Sequence, residues 1–277
     1  MKGLSIVLIV ILICMTALAF LYFLGNKSLN LFDLTVFITV GFLAQMIDGA
    51  LGMAWGVSSN TFLLSLGIPP AMASASIHTA EIFTTAVSGL SHLNLGNVDK
   101  SLFKRLLIPG VAGGALGAYM LTAISGSLVK PFVSTYLLVM GSIIIYKAFK
   151  KPQKRKSEVH IVPLAAAGGF FDAVGGGGWG PIVTSTLIAK GNNPRFTIGS
   201  VNLAEFFVTL TETATFYTII GLAYWNVIAG LILGGALAAP LAAYTCKKLP
   251  QKTLMIMVGT LITALSIRTV LQSLLCV

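Results

Sequence analysis

Seven stretches of this chain stay apolar for about the 20 residues a helix needs to cross a hydrocarbon core: Leu4–Leu24, Met72–Leu93, Leu102–Thr122, Val129–Ile145, Ile198–Ile220, Trp225–Tyr244 and Leu254–Leu275. With 56% hydrophobic and only 9% charged residues, the chain cannot cover such runs with a polar shell. The expected class is therefore an all-α integral membrane protein whose first partner is the lipid bilayer. The first run is too long for a signal-peptide core and has no convincing cleavage site, so residues 1–30 read as an N-terminal transmembrane helix and loop. Cys14, Cys246 and Cys276 show neither metal nor disulfide spacing and read as small core residues. No cofactor and no metal site are expected.

A formal net charge of +10 raises the question of nucleic acid, but the basic residues sit in short loops between spans. That is the positive-inside pattern, which orients a membrane protein. The cluster KAFKKPQKRK, residues 147–156, marks the cytoplasmic side, as do Lys247, Lys248 and Lys252, and Lys100, Lys104 and Arg105. The expected location is the cell membrane, multi-pass, with a cytoplasmic N-terminus. Walking between these anchors makes the segment from His160 to Lys190 begin and end inside. As one helix it would be roughly 47 Å long, so it must turn.

The turn is written in FFDAVGGGGWGP, residues 170–181. Each Gly costs roughly 1 kcal/mol in a helix interior relative to Ala, and four in succession end the helix. Gly175-x-Gly177-x-x-Gly180 matches a dinucleotide-binding fingerprint, but the strand and soluble unit that reading needs are missing. The segment reads instead as a re-entrant hairpin whose tip lies near mid-membrane, where freed backbone groups are tolerated only if they line a cavity.

The chain carries this device twice. A shift of 124 residues superposes Asp48 on Asp172, Gly52 on Gly176, Trp55 on Trp179, Pro70 on Pro194, Ser76 on Ser200 and Glu81 on Glu205. Coincidence of Asp, Trp and Glu in an apolar chain is not expected by chance. Each repeat reads as a broken-helix hairpin plus three transmembrane helices, and the odd number of crossings gives the two copies opposite orientations. Inverted-topology repeats whose broken helices meet at the midplane are a recurring transporter design. The expected boundaries are 31–149 for repeat 1, 150–159 for a basic cytoplasmic linker and 160–277 for repeat 2.

The motifs IDGALGMAWG, LGIPPAMASASIHTAE and LNLGNVDKSLFKR, with the second copies FDAVGGGGWGP and NNPRFTIGSVNLAE, resemble the sulfite exporter TauE/SafE family of membrane permeases over residues 41 to about 250. The first copy has Met53, Ala54 and Trp55 in part of the stretch where the family commonly runs glycines. The resemblance implies a permease, not an enzyme, for small sulfur-containing or related carbon anions such as sulfite, thiosulfate or sulfonates.

Intramembrane polar groups must carry the chemistry, because a charge at the bilayer centre costs at least about 2.5 kcal/mol. Glu81, Glu205 and Glu212 are the deepest acids, and Asp48 and Asp172 flank the breaks. Glu81 and Glu205 share a repeat position and read as proton carriers, with protons as the candidate coupling ion. Asp48 and Asp172 read either as acceptors for backbone N–H groups that the breaks free or as further coupling groups. His78 lies one turn before Glu81 on the same helix face. It joins Ser58, Asn60, Ser76, Gly176, Gly177, Thr184, Ser185, Ser200 and Asn202 as the candidate substrate-binding set. The expected activity is secondary transport of a small anion by alternating access. A cation or divalent metal carried on the same carboxylates is the alternative.

Overall fold

The computed structural model describes residues 31–51, 53–149, 159–221, 224–248 and 251–275. A few side chains inside these helices, that of Asp48 among them, are outside the described set, as are the expected N-terminal helix, Gly52 and the basic linker as far as residue 158. Every regular element among the described residues is helical, in agreement with the all-α class. Helix α1 is Leu31–Leu51, α2 Trp55–Ser65, α3 Pro70–Asn94, α4 Lys100–Ala123 and α5 Gly126–Phe149. The second half runs α6 Ile161–Gly175, a π-helical turn Gly180–Thr184 leading into α7 Ser185–Ala189, then α8 Pro194–Ile220, α9 Trp225–Lys248 and α10 Gln251–Leu275.

Local sequence explains where these helices start and stop. Asp99 caps α4 by accepting from the N–H groups of Ser101 at 2.9 Å and Leu102 at 3.1 Å, and Asn193 caps α8 through Arg195 N–H at 3.0 Å. Pro70 and Pro194, repeat partners, open α3 and α8 at a position where a missing N–H costs nothing. The two expected breaks are present. Between α1 and α2 the chain turns at Ala54, whose φ of 101° is a left-handed value that a residue with a Cβ rarely adopts. Beyond α6 it turns at Gly176 and Gly177, with φ of 63° and 148°, which glycine adopts without a Cβ penalty.

Six of the helix contacts are related by exchanging the two halves, although contacts such as that of α10 with α2 have no such counterpart among the described residues. Helix α1 lies along α9 and α4 along α6; α4 packs on α8 and α9 on α3; α3 pairs with α8 and α5 with α10. Swapping α1–α5 for α6–α10 maps this set onto itself. Glycines make the close approaches: Gly113 and Gly117 of α4 face the Ala166 and Phe170 backbone of α6, and Gly234 of α9 faces the Ile38 and Phe42 backbone of α1. The tryptophans of the breaks use the same device, Trp179 filling the space beside Gly110 and Trp55 that beside Gly235.

The perimeter is greasy. Phe132 is 76% exposed and Ile108 75% exposed, on α5 and α4, with Leu116, Leu128 and Leu237 also outward. Helices α4 and α5 are each long and apolar enough to cross a membrane. A lipid-facing surface needs such residues, whereas a water-facing one rarely exposes them in continuous bands. Polar side chains are concentrated inside instead, where α2, α3, α6 and α8 come together.

Candidate functional site

Three ionisable side chains from three helices converge in that interior: His78 of α3, Asp172 in the last turns of α6 and Glu212 of α8, all essentially inaccessible. His78 Nε2 lies 2.8 Å from a Glu212 carboxylate oxygen and 3.7 Å from Asp172 Oδ2. The imidazole is fixed from its other side. Its Nδ1 is 2.7 Å from the Ser74 carbonyl oxygen, which can only accept, so Nδ1 carries a hydrogen. The Ser74 hydroxyl, 3.2 Å from Nδ1, donates at 2.5 Å to the Ala173 carbonyl and so ties α3 to the end of α6. With Nδ1 committed, Nε2 either presents a lone pair to the carboxylates or holds one further proton. At 2.8 Å that proton is shared with Glu212.

Asp172 performs two tasks at once. Its Oδ1 accepts from the N–H groups of Gly178 at 2.5 Å and Trp179 at 2.9 Å, capping the helix that restarts after the break, while Oδ2 faces His78. Negative charge is favoured there because orphan N–H groups converge at a helix N-terminus. Glu212 fits because Gly114 of α4 lacks a side chain: a Cβ on Gly114 would stand 2.5 Å from Glu212 Oε1.

Next to this centre the two breaks touch. Gly56 of the first lies against the Gly176 carbonyl and Gly177 Cα of the second, too close for a Cβ on either chain. Asn60 Nδ2 donates to the Gly175 carbonyl, and the Tyr136 hydroxyl of α5 donates to that of Gly177 at 3.3 Å while its ring stacks on Phe171 with centroids 5.4 Å apart. Several buried polar atoms here have no hydrogen-bond partner: the hydroxyls of Ser58, Ser59 and Thr213 and the Asn60 side-chain oxygen. Leaving such atoms unsatisfied costs about 1–3 kcal/mol each, a cost that water or a polar ligand would relieve.

Of the sequence-derived set, His78, Asp172, Asn60, Gly176 and Gly177 meet in this region. Ser58 is buried on α2 with an unpartnered hydroxyl. Other members are placed differently. Ser76 bonds back to the Met72 carbonyl at 2.8 Å, and Ser200 bonds to the Phe196 carbonyl at 2.7 Å while accepting from Asp99 N–H at 2.8 Å, which pins the loop before α4. Thr184 is buried in the π-helical turn, and Ser185 bonds to the Pro181 carbonyl and to Lys147 of α5. Glu81 is buried on α3, while Asn202 and Glu205 are half-buried on α8. The ionisable groups in contact with His78 include Glu212 and Asp172, both from other helices. The sequence marked Glu212 as a deep acid without a role and Lys147 only as part of a cytoplasmic basic cluster, and it singled out neither Ser74 nor Tyr136.

His78, Asp172 and Glu212 are also a donor set of the kind that holds metal ions, with one atom of each within 4.8 Å of the others. The family model described as sulfite exporter TauE/SafE matches residues 37–269 of the chain. Among curated proteins, the "Probable membrane transporter protein YtnM" of Bacillus subtilis (strain 168) is 42% identical over 249 residues, covering 86% of this chain and 83% of that relative. No solved structure matches the chain.

Proposed function

Because this chain belongs to the sulfite exporter TauE/SafE family and is a multi-pass membrane transporter, we propose that it is a secondary permease for a small anion, a sulfur-containing oxyanion or an organosulfonate. It works by alternating access between two inverted repeats in the cell membrane, with the N-terminus in the cytoplasm and protons as the coupling ion. The observation that carries this reading is the contact of His78 with Glu212 at 2.8 Å, beside Asp172 and the two backbone breaks.

With neutral His78 and both acids ionised, the centre holds two negative charges away from water. Buried charge without compensation is costly, and an approaching anion would meet strong like-charge repulsion at low dielectric. Protons remove both obstacles. One proton between Nε2 and Glu212 leaves a single negative charge, and a second leaves none. The anion then binds to backbone N–H groups and orphan hydroxyls at the breaks, and proton and anion move as a neutralised set. The coupling role thus falls to His78 and Glu212, with Asp172 holding the break, in place of the Glu81 and Glu205 pair that the repeat symmetry suggested.

The test is flux of labelled sulfite, thiosulfate and a sulfonate in proteoliposomes under an imposed pH gradient. In chelator-treated buffer, Glu212→Gln mimics the protonated acid and should keep anion binding while flux loses its response to the gradient. Uptake of a divalent metal with no flux of any of these anions would select the cation alternative.

A further inference from the structure

A metal site differs from a chance meeting of acids in that its ligands are held from behind before the ion arrives. Each member of this centre is so held. His78 Nδ1–H is bound to the Ser74 carbonyl, which leaves the Nε2 lone pair facing the carboxylates. Asp172 Oδ1 is occupied by two backbone N–H groups, which leaves Oδ2 facing His78. Glu212 is seated against Gly114. Asp172 Oδ2 and both Glu212 oxygens are buried and receive no N–H or O–H hydrogen bond other than what His78 can offer.

We propose that His78, Asp172 and Glu212 bind one divalent first-row metal ion of the Zn²⁺ or Mn²⁺ class, with a coordination position left open for the transported anion. Imidazole nitrogen and carboxylate oxygen bind such ions at about 2.0–2.2 Å, which in a tetrahedron sets donors roughly 3.3–3.6 Å apart. The observed separations from Nε2, 2.8 Å and 3.7 Å, bracket that value, and all three donors lie within 4.8 Å of one another, so the two carboxylates close around an ion by side-chain movement alone. The charge balances as well: two carboxylates and a neutral imidazole offset a doubly charged cation. Three protein ligands leave a fourth position vacant, and a metal-bound oxyanion would meet attraction where bare carboxylates repel it. This last role rests on the anion-permease reading; the ion site itself does not.

The experiment separates the two. Full-length protein purified in detergent is stripped with a chelator, then titrated with Zn²⁺, Mn²⁺ and Co²⁺, with bound metal counted by elemental analysis and Co²⁺ followed by its ligand-field absorption. Wild type should bind one ion per chain. Glu212→Gln, nearly isosteric, should weaken binding by at least about 100-fold and shift the Co²⁺ spectrum, whereas His92→Gln, a histidine outside the centre, should match wild type. His78→Ala provides a second ligand deletion, with monodispersity by size exclusion reporting its folding. Wild type that binds no ion, or an affinity that Glu212→Gln leaves intact, overturns the site. Anion flux in stripped proteoliposomes is read separately. Flux that rises on adding the ion supports the open-position role, flux indifferent to the ion overturns that role, and movement of the ion itself without any anion overturns the anion reading while the site stands.

Discussion

Adding one methyl group at Gly114 tests whether the position of the Glu212 carboxylate matters, since Gly114 lies on α4 and belongs to neither partner of the contact. An alanine Cβ there would stand 2.5 Å from Glu212 Oε1, 2.9 Å from its Cγ and 3.1 Å from its Cδ. Ordinary van der Waals contact begins near 3.4 Å, so the carboxylate must retreat by about 0.9 Å. A glutamate end is flexible enough to do so, and the helix itself gains up to about 1 kcal/mol from replacing glycine by alanine. The loss is the 2.8 Å ion-pair contact with His78, on the scale of about 1.5–3 kcal/mol for a contact with a charged group. The net expectation for Gly114→Ala is a loss of about 0.5–2 kcal/mol, with the fold kept and the coupling geometry broken. The assays are thermal unfolding in detergent and pH-gradient-driven anion flux in proteoliposomes. Flux should fall by about 10–100-fold, the scale for a displacement near 1 Å in a positioned site. Gly114→Ala with Glu212→Asp, which shortens the acid, should recover stability but not coupling. Wild-type flux and stability in Gly114→Ala would refute the reasoning outright.

Gly177→Ala should fail to give monodisperse protein, because φ of 148° disfavours any side chain and its Cβ would overlap the Gly56 and Val57 backbone. Normal yield and melting temperature would mean that the two breaks are not in contact. Lys147 Nζ donates at 3.1 Å to the Pro181 carbonyl and also bonds to Ser185. Lys147→Met should therefore lower stability by about 1 kcal/mol after discounting for partial exposure, and an unchanged unfolding curve would contradict this. Single cysteines at Lys190 and Lys252 should label only from the cytoplasm, and those at Asn26 and Ser127 only from outside. External labelling at Lys190 would convert the second broken segment into a full crossing and remove the inverted repeat.

Composition and the spacing of apolar and glycine residues set the solvent, the helical class and the places where helices fail. Apolar runs of membrane length admit one kind of backbone, because hydrogen bonds must close within the segment. Gly175 to Gly178 announces its break locally, through backbone entropy and the left-handed geometry that Gly176 and Gly177 adopt. The first break was legible from its resemblance to the second, even though Ala54 stands at its turn with a φ of 101°. Asp172 was legible as an acid beside a break, since freed N–H groups call for an acceptor.

The site was decided elsewhere. Repeat symmetry singled out Glu81 and Glu205, yet the contact centre is asymmetric: 124 residues from His78 stands Asn202, and 124 residues before Glu212 stands Ser88. A filter that favours matching acids keeps Asp172, whose repeat partner is Asp48, but passes over His78 and Glu212. Helical periodicity correctly places His78 and Glu81 near one another on α3, but it cannot say which way α3 is rotated about its own axis. In a soluble protein the polar face settles that rotation. Here α3 buries Ser74, Ser76, Thr79, Glu81 and Thr85 along with His78, so polar residues lie on more than one of its faces and do not single out the direction in which His78 points. Rotation is set by close packing instead, by Gly113 and Gly117 against α6 and by Gly114 making room for Glu212. Those contacts turn Glu212 and Asp172 toward His78, and they exist only once the helices are assembled.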